Sequence, residues 1–144
     1  MKSKQDRFEI AIQCNDLETF KSLLHHENVS VTNDGNNGHW CLLAAVSGKS
    51  YKILEILLKD GRLNPAQNDS HCFKEAIKNS DHKSVKILLN DSRIDPSIEN
   101  NFAIIKAYEH NAYPIIETLW NDQRVKNTLK NDYIELYSIL VKKD

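Results

Sequence analysis

A chain of 144 residues, 40% hydrophobic and 27% charged with few glycines and prolines, can bury one core without disulfide or metal staples and is too apolar for a disordered polypeptide. Nineteen basic residues against twenty acidic ones leave a formal net charge of -1, so no single-sign excess exists to gather nucleic acid or an anionic membrane surface. The longest apolar run, Trp40 to Val46, is far short of a membrane span, and the N-terminal Met1 to Arg7 leads into no signal-like apolar stretch. Three widely spaced cysteines do not make a disulfide framework, and together these features predict an intracellular, cytoplasmic protein.

Residues 1–4 are polar and are expected to fray. From Asp6 the pattern is helical: Phe8, Ile10, Ala11 and Ile12 precede a break at Cys14-Asn15-Asp16, and Leu17, Phe20, Leu23 and Leu24 follow on one helical face. Asn15 tolerates a left-handed backbone and Asp16 suits an N-cap, so a tight turn joins the two helices. The longest connection, Glu27 to Gly38, carries the turn signals Asp34-Gly35 and Asn36-Asn37-Gly38. Helical pattern returns from Trp40 to Val46, breaks at Ser47-Gly48-Lys49-Ser50 and resumes from Tyr51 to Lys59. After the polar loop Asp60 to Ser70 the alternation recurs as Phe73 to Lys78 and His82 to Asn90, then as Phe102 to Glu109 and Tyr113 to Asn121. Pro114 falls in the first turn of its helix, where a missing N–H costs nothing. A last segment, Tyr133 to Val141, is apolar enough for a helix and has no helical segment after it.

These segments repeat. Ala45, Ala76 and Ala107 recur at a 31-residue step, and the earlier interval, from Ala11, is 34 because three extra residues fall in the Asp34–Gly38 loop. The second helices align as Phe20/Leu54/Val85/Ile116, Leu23/Leu57/Leu88/Leu119 and Leu24/Leu58/Leu89/Trp120, and the loops as Asp60/Asp91/Asp122 and Arg62/Arg93/Arg124. A unit of two short helices cannot bury its apolar face alone, whereas a stack of such units can. The pattern predicts an all-α solenoid in one domain, with four helix–turn–helix repeats at about 5–36, 37–69, 70–100 and 101–131 and a capping helix over 132–142. Leu88 and Leu89 are expected in mid-stack, with Lys142, Lys143 and Asp144 facing water beyond the cap.

Units of this length joined by polar loops resemble ankyrin repeats. The spacing from Ala76 to Leu89, Ala-Ile-Lys-Asn-Ser-Asp-His-Lys-Ser-Val-Lys-Ile-Leu-Leu, carries the resemblance, and it covers roughly residues 5 to 141. The family's Thr-Pro-Leu-His tetrapeptide is represented here only by Trp40-Cys-Leu-Leu43, His71-Cys-Phe-Lys74 and Phe102-Ala-Ile-Ile105, and its inter-helix glycine by Asn15, Lys49, Ser80 and Asn111. The chain looks like the divergent repeat type with Asp-Pro-Ser-like loops that is common in proteins of amoebae and of the bacteria and large viruses that infect them. A tetratricopeptide array would have longer helices and few loop residues, and the Asp-x-Arg-x-Asp-Pro loops argue against it.

Catalytic motifs are absent from the sequence: it holds no Gly-rich phosphate loop, no Gly-x-Ser-x-Gly, no His-Glu-x-x-His and no Cys-x-x-Cys, so neither catalytic residues nor a metal or cofactor is predicted. Cys41 and Cys72 hold equivalent positions on neighbouring helices, roughly 8–10 Å apart and beyond disulfide reach, and Ala103 in the third place suggests a small, half-buried slot. A Cys72 nucleophile with His71 or His110 as base is the enzymatic alternative, although adjacent helix residues point apart. Arg62, Arg93 and Arg124 read either as loop ion pairs with carbonyl contacts or as a ladder for an acidic partner. Trp120 takes a core leucine's place. Trp40 is either the base of a loop or a binding anchor.

The resemblance implies a non-enzymatic protein–protein interaction module, in the manner of an adaptor or a host-directed effector or viral ankyrin protein. Its partner is expected to be another protein, with no nucleic acid or membrane involved, and the chain itself is expected to be a monomer. The family's concave strip maps onto Gln13, Cys14, His39, Trp40, Ser47, Ser70, Glu75, Lys78, Asn79, Asn101, Lys106, Glu109 and His110. A structural or self-associating repeat segment is the alternative reading.

Overall fold

The computed structural model describes residues 1–27, 29–31 and 37–142, the side chains of 37 and 38 excepted. The turn signal Asp34-Gly35 and Asn36, with that part of the Asp34–Gly38 insertion, and the last two residues, Lys143 and Asp144, lie outside that description.

The described residues form ten helices and no strand. Four successive pairs are α1 (Lys4–Gln13) with α2 (Leu17–Leu23), α3 (Asn37–Ser47) with α4 (Tyr51–Asp60), α5 (Gln67–Lys78) with α6 (His82–Leu89), and α7 (Ile98–Glu109) with α8 (Tyr113–Trp120). They are followed by α9 (Gln123–Asp132) and α10 (Ile134–Val141). Helix α1 begins inside the stretch expected to fray, at Lys4. The Ser3 hydroxyl accepts from the Asp6 N–H at 3.0 Å while the Asp6 carboxylate accepts from the Ser3 N–H at 2.9 Å, a capping box that fixes the first turn of α1.

Each tight turn within a pair is made in the left-handed region by a residue other than glycine: Asn15 (φ 56), Lys49 (φ 52), Ser80 (φ 50) and Asn111 (φ 54). These are the four positions aligned with the family's inter-helix glycine. The next residue is the N-cap of the second helix. Asp16 and Asp81 cap it through the N–H groups of Thr19 (3.1 Å) and Ser84 (3.3 Å). Ser50 instead donates its buried hydroxyl to the Ile12 carbonyl at 2.7 Å, linking the second pair to the first.

The first helices pack in one row, α1 on α3, α3 on α5, α5 on α7 and α7 on α9; the second helices pack in another, α2 on α4, α4 on α6 and α6 on α8. Between the rows lies a continuous core. Leu57, Leu88 and Leu119 are wholly buried, and Phe8 stacks on Phe20 with ring centroids 5.2 Å apart. The small alanines Ala11, Ala45, Ala76 and Ala107 are buried, and the carbonyl of each accepts from the N-cap N–H of the second helix of its pair. Leu58 and Leu89, by contrast, stay half-buried on the second-helix row, so Leu89 is not the mid-stack residue that its repeat position suggests.

The end of the stack also differs from expectation, because Tyr133 to Val141 is not a lone cap. After α8 the chain keeps the Asp-x-Arg signature, with Asp122 accepting from the Arg124 N–H at 2.8 Å, but then continues directly into α9. In the two preceding loops Asn64 and Asp95 accept from the N–H groups of Ala66 (3.0 Å) and Ser97 (2.9 Å), each beside a buried proline, Pro65 or Pro96. Those Asx-Pro turns stop a helix from forming. Lys126 and Asn127 stand in their place in the last unit, so nothing interrupts the helix. α9 extends the first-helix row and α10 lies against it, with Tyr137 edge-on to Trp120 of α8 at 5.5 Å between ring centroids.

Candidate partner-binding face

The first-helix row carries the candidate surface. Trp40, His71 and Phe102 occupy one repeat position on α3, α5 and α7 and are all half-buried, which gives the row an aromatic seam. One turn further along, Leu43, Lys74 and Ile105 recur in the same way and are also partly accessible. Trp40 packs its ring against the core and lines a groove with Asp6, Glu9, Ile10 and Gln13 of α1 and with Lys2.

Two histidines join neighbouring repeats. His39 stacks on His71 with centroids 5.1 Å apart and planes 25° from parallel, and the His39 Nε2 lies 3.1 Å from the His71 Nδ1. Such a hydrogen bond needs one N–H and one bare nitrogen, so it survives with at most one of the rings charged. Burial, and then the neighbouring His71, hold the His39 pKa below the ordinary imidazole value.

Several polar residues of the row are paired with one another. Lys74 reaches Glu99 at 2.6 Å, Lys106 reaches Glu109 at 2.6 Å, and the Asn79 amide donates to Glu75 at 3.1 Å. The Lys106 hydrogen bond, and then its charge, keep the Glu109 carboxyl below the usual carboxylate range. Of the residues expected on the strip, Gln13, Cys14, Ser47, Lys78, Asn79, Glu109 and His110 are exposed, and His39, Trp40, Glu75 and Lys106 are half-buried.

Ser70 and Asn101 do not belong to such a surface, since they are only 3% and 0% exposed. Each is the third residue of a left-handed turn, Asn68-Asp69-Ser70 or Glu99-Asn100-Asn101, with φ between 48 and 64, that precedes the right-handed part of α5 or α7. The reversal of hand turns both side chains inward, where the Asn101 carbonyl accepts from the Thr128 hydroxyl of α9 at 2.7 Å. Asparagine and aspartate tolerate this backbone better than most residues, but nothing in their spacing told loop from left-handed turn. His71, Lys74, Phe102 and Ile105, which are not among the residues expected on the strip, are half-buried on the same row. Their signal lay in the helix-opening tetrapeptides, where a large ring recurs at the first position.

The cysteines are structural in placement. Cys41 and Cys72 are buried thiols with pKa pushed up to about 12, chiefly by desolvation, and Cys72 donates to the Pro65 carbonyl at 3.3 Å. Burial of this kind disfavours the thiolate that a nucleophile needs. Cys14 is exposed, and all three are unpaired. Among the described residues no three histidines, cysteines or acids gather within reach of one metal ion, and no helix is long and apolar enough to cross a membrane.

Paired helices stacked in two rows, joined by polar loops of one repeated design, define a helical solenoid. Ankyrin repeats (3 copies) match residues 8–100, and the chain belongs to the ankyrin-repeat family. Ankyrin repeats are in general protein–protein interaction modules. Past residue 100 the helices α7 and α8 keep the pairing, the buried alanine and the left-handed turn of the matched units. No curated protein and no solved structure matches the chain.

Proposed function

We propose that this chain is a non-enzymatic adaptor of the cell interior that binds another protein along its first-helix row, the concave face in this family. The observation that carries the reading is the half-buried seam Trp40–His71–Phe102, repeated on three adjacent helices where helix packing alone does not require rings. Half-exposed aromatics flanked by paired charges are what an interface core with a polar rim looks like before its partner arrives. The exposed Lys78 and His110 and the Lys106–Glu109 pair supply that rim.

Replacing Trp40, Lys78, Lys106 and Glu109 together, with circular dichroism to confirm unchanged helicity, is expected to abolish partner recovery in affinity capture with mass spectrometry. A control set on the second-helix row, Lys52, Glu55 and Lys59, should leave capture intact. Partners that survive the first set and vanish with the second would place the binding face on the other row.

A further inference from the structure

α10 lies at one end of the described stack, packed on α9. Leu140 of α10 is buried and Leu136 and Tyr137 pack against the core, yet Ile134, Ile139 and Val141, on the flanks of its outer side, are 69%, 40% and 45% exposed. Three of the six large hydrophobic residues exposed among the described residues thus lie on one eight-residue helix. Isolated exposed apolar residues need no explanation, but a helix that presents three of them on its free side does.

The polar residues among them say what fits. At 3.6 residues per turn, Glu135, Ser138 and Lys142 run along the middle of the exposed arc, with Ile134 and Val141 on one flank and Ile139 on the other. Glu135 is in the first turn and Lys142 is the C-cap, and both are exposed. The Ser138 hydroxyl is already spent on the Glu135 carbonyl at 2.8 Å, so the middle of the arc is small and internally satisfied.

The geometry points to a second copy of this chain as the occupant, with α10 packed antiparallel on its two-fold mate. An antiparallel two-fold arrangement brings each flank onto the same flank of the other copy, so Ile134 meets Val141 and Ile139 meets Ile139. It also sets each Glu135 beside the other copy's Lys142, twice per dimer, with helix dipoles opposed. A parallel arrangement would put Glu135 against Glu135 and Ile139 against the other flank. Ser138 lets the helices approach closely at the centre. This departs from the monomer expected from the sequence, and it is independent of how the first-helix row is used.

Sedimentation velocity of the full chain from about 1 µM to about 1 mM tests it. A monomer–dimer equilibrium is expected in that range. Ile134→Glu/Ile139→Glu, both at exposed sites, should give a monomer of unchanged helicity. Glu135→Lys and Lys142→Glu should each weaken the dimer at least about tenfold, and an equimolar mixture of the two should recover it, because both cross-pairs are then complementary. A chain that stays monomeric throughout, or a dimer indifferent to Ile134→Glu/Ile139→Glu, overturns the proposal. Failure of the mixture to recover association overturns the antiparallel arrangement.

Discussion

The Arg93 guanidinium donates to the Leu63 carbonyl of the preceding repeat at 2.8 Å while it forks onto Asp91 of its own loop at 2.9 and 2.6 Å. Arg124 does the same one unit later, reaching the Ile94 carbonyl at 3.2 Å from its fork on Asp122. Arg62 reaches Leu24 at 3.2 Å from its fork on Asp60. Leu63 and Ile94 are themselves the buried residues that follow Arg62 and Arg93. Each arginine therefore ties its loop to the main chain of the unit before it. The carboxylate holds the planar fork so that its remaining N–H points backward.

Arg93→Ala is expected to lower stability by about 1–2 kcal/mol, since it leaves the Leu63 carbonyl without its donor and Asp91 with only the backbone N–H of residue 93, moderated by the arginine's partial exposure. Arg93→Lys should recover little of that, because an ammonium cannot hold Asp91 in a fork and reach Leu63 together. Denaturant melts of the two variants check it; full rescue by lysine would show that charge, and not geometry, is what matters.

The left-handed turns carry a second expectation. Ser80, at φ 50, holds a backbone that costs an L-residue roughly 1–2 kcal/mol, whereas glycine holds it freely. After the extra entropy that glycine brings to the unfolded chain, Ser80→Gly should stabilise by about 0.5–1 kcal/mol. The neighbouring position in the second repeat behaves oppositely. A Cβ on Gly48 would lie 2.6 Å from the Gln13 carbonyl oxygen and 3.1 Å from that of Ala44, both backbone atoms. Gly48→Ala should cost about 1–3 kcal/mol by forcing α3 away from the end of α1. Thermal melts of the two variants should shift in opposite directions.

Leu88 and Leu89 look interchangeable in the repeat, and they are not. Leu88 is wholly buried and Leu89 is half-buried on the second-helix row. Leu88→Ala is expected to cost about 2–5 kcal/mol and Leu89→Ala less than half as much. Equal losses in paired urea titrations would contradict the burial difference.

The His39–His71 pair predicts the pH response. Because the folded protein holds the His39 pKa below its unfolded value of 6.5, the unfolded chain binds the proton more readily. Stability is thus full above that value and lost as pH falls through it. The aspartates of the three arginine forks act elsewhere. Hydrogen bonds from Arg62, Arg93 and Arg124 lower the pKa values of Asp60, Asp91 and Asp122 from 3.8, so their contribution is present above that value and lost only in stronger acid. Denaturation midpoints measured from about pH 7 to about pH 5.5 should fall in the unmodified protein. They should fall less in His39→Gln, which cannot take up the proton.

The sequence by itself determined the repeat and, through it, the family, because a stacked unit needs the same small and apolar residues at the same places each time. Ala11, Ala45, Ala76 and Ala107 lie buried as their spacing demanded, and the left-handed turns fall on the four residues aligned with the family's glycine. What α9 became was readable in principle from the missing Asx-Pro pair at Lys126-Asn127, a local signal outweighed by the repeat around it. Only the tertiary structure decided which members of a repeated position are buried. Ser70 and Asn101 vanish from the surface through a reversal of backbone hand that their residue types permit without requiring. The tie from Arg93 to Leu63 and the stacking of His39 on His71 join residues of different repeats. Such contacts depend on how one unit is set down on the next, which residue spacing along the chain does not specify.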